Sequence, residues 1–551
     1  MGACCCSLQS SRRAHIVSAY GFGTTEPLLK ETEREAVNAI LKFLDSDSSP
    51  AARRLSTDRL ESLRTLAYSD NVELQKSAAL CYSELSENWS DPVTIQFLEP
   101  IIQLLLSPDI GIQKASSLAI SNLALKGPVE NKNTIVRAGA LSSLIILLNS
   151  QDPEVQCNTC GCITTLATTE SNKREIVVQG AIPPLLKLAH VRDPKVQRNA
   201  AGALLNLTHV ESNRQDLVQS GAVAVFIKLL ESQDIDVQFY CAAALSNIAV
   251  SGEHRQVIIR YSDGKVIKVL ISLMKSLSEK VCCQACLAIR NLASDEENQD
   301  KIVECGGLDA LVPLLWSGDT DTVTAAVAAL RNLSIMKGNE IHIVKSGALV
   351  ELSRLLSLQE QSEIQCHAAG TIRNLAAEEQ HVAIIEAGCL TALAERLRDS
   401  KHVPGDVLSE ISAAMGVLVS NSIARKQLMS LYNGDFHKVL LKLTDSPHRE
   451  VQYNCAGIIG HLAMNEEYHS VLLNEEPSAI DCMLKLLDQN DSSFIHLALW
   501  VIAQFSNGSK STRALLRKSV LIDKIIELKS KKYNTEISQL AESAYNNLQA
   551  Q

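Results

Sequence analysis

The first residues of the chain carry its most specific chemical pattern. The sequence opens MGACCC, so Gly2 becomes the amino terminus when the initiator Met is removed. The pattern Met-Gly-x-x-x-[Ser/Thr] marks such a glycine for myristoylation, although position six here is Cys6. Cys4, Cys5 and Cys6 lie where thiols held at a membrane can be palmitoylated. Because one myristoyl chain binds membranes only marginally and two lipids anchor stably, the tip, residues 1–7, predicts a two-lipid anchor.

A second pattern is an asparagine that recurs about every 42 residues. Five of these residues are expected to line a surface: Asn206, Asn247, Asn291, Asn332 and Asn374. An asparagine amide both donates and accepts hydrogen bonds, and asparagine has low helix propensity, so its recurrence within a helix indicates a compensating role. The row can hold the backbone of an extended peptide. The alternative is that each asparagine ties neighbouring repeats together, and the two roles can coexist.

An arginine stands directly before this asparagine in three consecutive repeats, at Arg290, Arg331 and Arg373. Packed helices lie about 8–10 Å apart, and an extended chain advances about 3.3 Å per residue. The three guanidinium groups therefore match carboxylates about three residues apart on a bound segment. Arginine pairs with carboxylates in a bidentate manner, so the row predicts an acidic ligand. The alternative is a solvated face on which each arginine has a local Glu partner.

Other candidates for chemistry are better explained by structure. Two groups of cysteines have close spacing: Cys157, Cys160, Cys162, Cys282, Cys283 and Cys286. The first group lies inside a predicted helix without a second pair of ligands, and both are expected to be buried thiols. The sequence contains no GxxxxGK[ST], GxSxG or HExxH motif and no paired-glycine fingerprint after a strand. We therefore expect no enzyme activity, no metal site and no cofactor.

These residues are positioned by a repeat whose period is typical of armadillo and HEAT proteins. A glutamine that follows an aliphatic residue stands nine residues before the asparagine position in seven repeats, which fixes the register. Over 172–209 we predict a short helix that ends at Gly180, a second that begins at Pro183 and a long third helix. A glycine expected to cap the first helix recurs at Gly139, Gly180, Gly221, Gly307, Gly347 and Gly388. Three helices per unit favour armadillo over HEAT.

The predicted fold is all-α, a right-handed superhelical solenoid of about 11–12 three-helix armadillo repeats. It is expected to run without interruption over 32–551. Residues 8–31 carry no clean periodicity and are predicted to form a flexible tether. Residues 13–17 of this tether are a candidate for masking the first repeats by imitating a ligand.

Composition agrees with a helical array. The 551 residues include 25 Gly, 14 Pro and 4% aromatics, which leaves few residues typical of turns and sheets. The net charge of −10 argues against nonspecific nucleic-acid binding, although it permits a local basic groove. No apolar run reaches the ~18 residues of a membrane span, and the start lacks the apolar core of a signal peptide. The 16 cysteines are therefore expected to be reduced, as in the cytosol.

The period, the inter-helix glycine, the VQ-to-NLA spacing and the asparagine row together resemble the armadillo-repeat family. With MGACCC in front, and with stretches such as VQCNTCGCITTLAT and YCAAALSNIAVS, the chain is similar to the vacuole-anchored members of that family in fungi. The resemblance implies a myristoylated and palmitoylated scaffold, peripheral on the cytosolic face of the vacuole membrane. It also implies a partner-binding groove whose arginine triad corresponds to Arg290, Arg331 and Arg373.

The same resemblance implies partners and processes. They are a nuclear-envelope protein at nucleus–vacuole contacts, an autophagy regulator in selective autophagy and cytoplasm-to-vacuole targeting, a myosin adaptor for vacuole inheritance, and vacuole fusion. The sequence leaves open whether these partners compete for one groove, which cysteines are acylated, and whether the array forms a homodimer or a higher self-association.

Two rival classes share the armadillo array. A nuclear import receptor would carry Trp four residues before the asparagine in several repeats, whereas here only Trp500 stands at such a position, and it would also carry a basic autoinhibitory arm. A catenin-like scaffold would have no use for a lipidated tip. Both remain alternatives for the binding function.

Overall fold

The computed structural model describes residues 29–45, 57–358, 360–489, 491–530 and 535–549. Over these residues the chain is mainly helical and has no strand, which confirms the all-α prediction. The chain divides into two compact units, one that ends at Val266 and one that begins at Ile267. The continuity of the array over 32–551 stays a prediction.

In the first unit the helices form sets of up to three, as the repeat predicts. They are α1 (Glu31–Asp45), α2 (Thr57–Ala67), α3 (Val72–Glu87), α4 (Ile95–Leu105), α5 (Ile110–Lys126), α6 (Val129–Arg137), α7 (Ala140–Leu147), α8 (Pro153–Leu166), α9 (Glu170–Val178), α10 (Ile182–Leu188), α11 (Pro194–Thr208), α12 (Glu211–Gln219), α13 (Ala222–Leu229), α14 (Ile235–Ile248) and α15 (Gly252–Ser262). The long helices α3, α5, α8, α11 and α14 pack against one another in that order.

The second unit repeats the pattern, and the helix that spans the boundary at Ile267 is counted with it. Its helices are α16 (Lys265–Leu273), α17 (Glu279–Leu292), α18 (Glu296–Glu304), α19 (Gly307–Leu314), α20 (Thr320–Leu333), α21 (Glu340–Lys345), α22 (Ala348–Leu356), α23 (Ser362–Leu375), α24 (His381–Glu386), α25 (Cys389–Arg398), α26 (Gly405–Leu418), α27 (Ser422–Ser430), α28 (Phe436–Leu443), α29 (Arg449–Leu462), α30 (His469–Leu473), α31 (Ala479–Asp488), α32 (Ser492–Ser506), α33 (Lys510–Lys518), α34 (Leu521–Ser530) and α35 (Thr535–Gln549). The long helices α17, α20, α23, α26, α29, α32 and α35 again pack in series.

The glutamine that marks the register ties the turn before each long helix. Gln156 Nε2 donates to the carbonyl oxygen of Ser150 at 2.6 Å, and Ser150 Oγ accepts from the Asp152 N–H at 3.2 Å. Asp152 Oδ1 in turn accepts from the Glu154 N–H at 2.9 Å, which caps α8. The same glutamine bond recurs in other repeats, at Gln75, Gln113, Gln238 and Gln452. This bond therefore holds the glutamine at a fixed place in each of these long helices, and the asparagine position follows nine residues later on the same helix.

One capping glycine differs from the prediction. Gly306, with φ +82°, takes the left-handed conformation that the sequence predicts for Gly307. Gly307 instead begins α19, where a Cβ would lie 2.6 Å from Ile302 Cγ2. Glycine is therefore needed at the two adjacent positions for different reasons: Gly306 adopts a left-handed backbone conformation, and Gly307 packs closely against Ile302. The other five predicted caps do have positive φ, as do Gly264 and Gly434, which the prediction missed.

The long helices supply the core. Five apolar residues at helical spacing in α11 are fully buried: Val196, Ala200, Ala203, Leu204 and Leu207. Burying one such leucine contributes about 1.5–3 kcal/mol. The polar residues at the asparagine and arginine positions lie on the remaining, partly exposed side of the same helices. The core thereby fixes the place of every predicted binding residue that the structure describes.

Candidate protein-binding surface on the long helices

The predicted lipid anchor lies outside the described residues. This holds for Gly2, Cys4, Cys5 and Cys6 and for the tether up to residue 28. Their acylation and the masking role stay predictions. At the other end of the predicted tether, Lys30 Nζ lies 3.1 Å from Asp70 Oδ2, and α1 begins at the next residue.

Four of the five asparagines of the row bond to the preceding repeat. In each case the amide Nδ2 donates to a group near the end of the previous long helix. The acceptors are Thr164 O for Asn206 at 3.0 Å, Thr208 Oγ1 for Asn247 at 2.8 Å, Arg290 O for Asn332 at 2.9 Å and Ser334 Oγ for Asn374 at 3.1 Å. The amide N–H groups of these four residues therefore tie neighbouring repeats together, which was the alternative considered for the row. Within the described ranges nothing donates to the amide oxygens of Asn332 and Asn374, so those oxygens can accept from a ligand.

Arg290 lies near the end of α17 and bonds to its own neighbour. Its Nε and Nη2 donate to Asn291 Oδ1 at 3.2 and 3.1 Å. This shared acceptor holds the guanidinium group beside the asparagine row. In the part of the chain that the structure describes, no carboxylate pairs with Arg290. Its charge is therefore available to a ligand.

Arg331 and Arg373 converge on one carboxylate, that of Glu410 on α26. Arg331 Nη2 lies 2.5 Å from Glu410 Oε1, and Arg373 Nη1 lies 2.8 Å from Oε2. The second contact is an ion pair without hydrogen-bond geometry. The side chain of Glu410 is only 17% exposed. A Glu partner, the alternative considered for the arginine row, is thus present for two of the three arginines, and their role in ligand binding stays a prediction.

Arg331 reaches Glu410 by crossing the intervening helix α23 at a glycine. A Cβ on Gly370 would lie 2.7 Å from Arg331 Nε and 2.9 Å from its Cζ. Gly370 stands four residues before Asn374, the position at which an import receptor would carry Trp. The close approach of the guanidinium group gives a physical reason for glycine there. Trp500, at the corresponding position of a later repeat, packs edge-on against His461 with ring centroids 5.1 Å apart.

The other neighbours of Arg331 are neutral or nearly so. Its Nη1 lies 3.5 Å from His367 Nδ1 and 4.0 Å from Cys366 Sγ. Burial lowers the pKa of His367 below its usual range, and the charge of Arg331 lowers it further. Burial raises the pKa of the Cys366 thiol against the opposing effect of Arg331. Glu410 is therefore the main counter-charge in contact with Arg331.

Sequence reasoning missed a second row of polar side chains. It stands seven residues before the asparagine position, two helical turns earlier on the same face. Its members are Asn158, Asn199, Tyr240, Gln284, His367, Glu410 and Asn454. Asn199 Nδ2 donates to Cys157 O at 3.2 Å and Asn454 Nδ2 to Ser409 O at 3.2 Å, so this row also bonds repeat to repeat. The signal was a polar residue at this position in successive long helices, interrupted in α20 by Ala325.

Most of the grouped cysteines are buried thiols, as predicted. The buried members are Cys160, Cys162, Cys282, Cys283 and Cys286, whereas Cys157 is half-buried. Burial raises the pKa of Cys162 to about 12, so this thiol is protonated at neutral pH. Among the described residues no group of three or more His, Cys, Asp or Glu side chains is arranged to hold a metal ion.

Comparison with known protein families agrees with the repeated helices described above. The model of the Armadillo/beta-catenin-like repeat matches residues 128–168, 169–209, 211–250, 265–294, 295–335 and 337–377. The long helices before and after these ranges continue the same packing in each unit.

Whole-length relatives decide the family. Vacuolar protein 8 of Schizosaccharomyces pombe is 44% identical over 91% of this chain and 90% of its own length. The Candida albicans protein of the same name is 41% identical over 98% and 92%, respectively. That of Komagataella pastoris is 45% identical over 94% and 91%. The chain belongs to the Vacuolar protein 8 family. It is therefore an armadillo-repeat scaffold of a family associated by name with the vacuole, as the resemblance predicted.

Solved structures agree on the fold. A chain from a study of a phosphorylation switch in the interaction between cadherin and beta-catenin superposes with a TM-score of 0.72, covering 89% of this chain and all of the other. Its identity is 15%, so it speaks for the fold alone. An engineered protein superposes with a TM-score of 0.65 at 30% identity over 73% of this chain and 98% of the other. Of the helices that the structure describes in this Vacuolar protein 8 relative, none is long and apolar enough to cross a membrane.

Proposed function

We propose that this member of the Vacuolar protein 8 family is a non-enzymatic adaptor, anchored by lipids on the cytosolic face of the vacuole membrane. The relatives, which are named vacuolar proteins, support a location at the vacuole, since their similarity extends over nearly the whole chain. Myristate on Gly2 and palmitate on Cys4, Cys5 or Cys6 supply the two signals that stable anchoring needs. Proteins, rather than nucleic acids or cofactors, are its ligands.

The binding surface that we propose combines the asparagine and arginine rows. A partner lies as an extended segment along the long helices, where the amide oxygens of Asn332 and Asn374 accept from its backbone N–H groups. Asn291 extends this row within the second unit, and Asn206 and Asn247 stand at the same position of the repeat in the first unit. Arg290, Arg331 and Arg373 bind its carboxylates or carbonyl oxygens. The observation that carries this proposal is that both rows stand on the same helices, one residue apart, and that the Asn332 and Asn374 amides donate to the preceding repeat through Nδ2, which leaves their oxygens to accept.

The processes proposed for this adaptor follow the family. Its partners are a nuclear-envelope tether at nucleus–vacuole contacts, an autophagy regulator in selective autophagy and cytoplasm-to-vacuole targeting, and a myosin adaptor in vacuole inheritance. It also assists vacuole fusion. One surface that reads backbone and charge, rather than a fixed side-chain pocket, suits several partners of different sequence.

Removing the arginine row tests the binding surface. The full chain with Arg290→Ala, Arg331→Ala and Arg373→Ala is compared with wild type by pulldown and mass spectrometry, followed by calorimetry on each captured partner. Losing a desolvated ion pair costs about 2–5 kcal/mol, so we expect binding to weaken at least a hundredfold. Salt should weaken wild type more than the variant, because screening acts on the charge pairs.

The matched control removes three arginines outside the row. Arg174, Arg198 and Arg449 each pair with an Asp 36 to 42 residues further along the chain. Their triple alanine makes the same change in net charge and should leave partner binding unchanged. Equal affinities of wild type and the folded row variant for every captured partner would contradict the proposal and move the binding site elsewhere on the array.

A further inference from the structure

We propose that Glu410 is a specificity-determining residue that excludes ligand carboxylates from Arg331 and Arg373. Its own carboxylate already occupies both guanidinium groups. Ligand carboxylates are thereby directed to Arg290, while Arg331 and Arg373 bind neutral acceptors such as backbone carbonyl oxygens. This inference rests on the proposed binding surface and specifies the chemistry of the segment that the surface selects.

The geometry places Glu410 where a ligand carboxylate would bind. Its two oxygens lie 2.5 Å from Arg331 Nη2 and 2.8 Å from Arg373 Nη1, so one carboxylate bridges arginines of two repeats. This is the arrangement that the arginine row was predicted to offer to a ligand. Arg290 has no such occupant among the described residues and bonds only to the neutral amide of Asn291.

Charge explains the selection. Arg331, Glu410 and Arg373 together carry one net positive charge, whereas two unpaired arginines would carry two. A second carboxylate entering this cluster would lie close to that of Glu410, at low exposure to water, where like charges repel strongly. A carbonyl oxygen is neutral and can still accept from the remaining N–H groups, since each guanidinium has five donors.

Glu410 also differs from the acidic residues of other ion pairs between repeats in its hydrogen bonding and its place in the helix. Its Oε2 is buried but receives no hydrogen bond within the described ranges, because the Arg373 contact lacks the required geometry. Other ion pairs between repeats, such as Arg198–Asp234, have an aspartate that also caps the next long helix. Glu410 lies inside α26 and caps nothing. Its contacts are with the two arginines of the binding surface.

The test uses two synthetic twelve-residue peptides and the full chain. One peptide has Glu at every third position in a Ser/Ala background, and the other has Gln at the same positions. Binding of both is measured by fluorescence anisotropy to wild type, to Glu410→Gln and to the triple alanine of Arg290, Arg331 and Arg373. Glu467→Gln is the control, because it removes one negative charge at an exposed residue outside the row.

We expect Glu410→Gln to bind the Glu peptide at least tenfold more tightly than wild type, with a steeper salt dependence. Its affinity for the Gln peptide should change less than twofold, and Glu467→Gln should change neither. Glu410→Asp, which keeps the charge, should stay within threefold of wild type for the Glu peptide. Glu410→Ala removes the charge without the amide and should behave like Glu410→Gln, which keeps the test valid if one of the two fails to fold.

Several outcomes would overturn the inference. If Glu410→Gln weakens both peptides equally, Glu410 only positions the arginines. If the triple alanine loses the Glu peptide while Glu410→Gln binds it as wild type does, the binding surface stands and the selection fails. If wild type and the triple alanine bind the Glu peptide equally, the binding surface itself fails. If no variant, Glu410→Gln included, binds either peptide, both proposals fail.

Discussion

Arg331 and Glu410 are 79 residues apart in the chain and join two long helices that are separated by a third. The contact, 2.5 Å between Nη2 and Oε1, runs from α20 to α26 across α23. It therefore couples three consecutive repeats of the second unit through one ion pair. A surface assembled in this way responds to changes on the middle helix as well as to changes in the two partners.

The middle helix gives the first prediction. Gly370→Ala places a Cβ against the guanidinium group of Arg331 and should displace the arginine from Glu410. Because the atoms in the way belong to the end of a flexible side chain, the fold should survive. Alanine is favoured over glycine in helices by up to about 1 kcal/mol, which offsets the lost contact. We expect an unchanged melting temperature together with altered partner affinity, measured by thermal unfolding and calorimetry.

Gly457→Ala is the matched control for that substitution. Gly457 occupies the same position in a later repeat, but the nearest atom to its Cβ would be Leu497 Cδ1 at 4.0 Å. This variant should raise stability by up to about 1 kcal/mol and leave binding alone. If both variants change partner affinity alike, the proximity of Gly370 to Arg331 is not the cause.

The second prediction concerns pH. The pKa of His367 is lowered in the folded chain by burial and by Arg331. As pH falls below the usual histidine range, the unfolded chain takes up the proton first, so the contribution of this residue to stability is present at neutral pH and declines toward acid. His367→Gln should flatten that part of the stability curve between about pH 7 and pH 5, as measured by urea unfolding midpoints. A curve of unchanged slope would contradict the assignment.

The repeats and their helices could be predicted from the sequence better than the ion pairs between side chains. The glutamine and glycine markers follow from local turns and helix ends, such as the Gln156–Ser150 bond. The asparagine marker follows from a bond to the preceding repeat that recurs along the array, such as that of Asn206 to Thr164 O. The pairing of Glu410 with Arg373 and Arg331 was not predicted, because these partners lie one and two repeats before it. A periodic pattern shows which residues share a face, but it does not show which side chains reach across a helix. The contact of Arg331 with Glu410 depends on the absence of a side chain at Gly370. The sequence shows this glycine but gives no reason for it.

The third prediction concerns the anchor. Gly2→Ala should abolish myristate and sharply reduce palmitate, because the thiols no longer dwell at the membrane. Replacing Cys4, Cys5 and Cys6 together should leave weak, reversible binding through the single myristoyl chain. Cys157→Ser, at a half-buried thiol in the array, serves as the control and should fractionate like wild type. A triple-cysteine variant that stays stably on membranes would contradict the two-signal anchor.

The last prediction separates the two roles left open for the asparagine row. Asn374→Asp keeps an oxygen where a ligand N–H would bind, but it loses the N–H that donates to Ser334 Oγ at 3.1 Å. The Arg331 carbonyl oxygen, 3.4 Å from the same nitrogen, then faces a carboxylate. Leaving such a group unsatisfied costs about 1–3 kcal/mol, so the unfolding midpoint should fall.

Asn199→Asp provides the comparison, because Asn199 also donates across repeats, to Cys157 O at 3.2 Å, but belongs to the second row and to the first unit. If the asparagines only tie repeats together, both aspartates should lower stability and neither should alter partner affinity beyond that loss. If Asn374 also holds the ligand, its alanine variant should weaken binding more than its aspartate variant does. Alanine removes the accepting oxygen, whereas aspartate retains it. Equal binding by the two Asn374 variants, measured by calorimetry well below their unfolding temperatures, would leave the inter-repeat bond as the whole role of this residue.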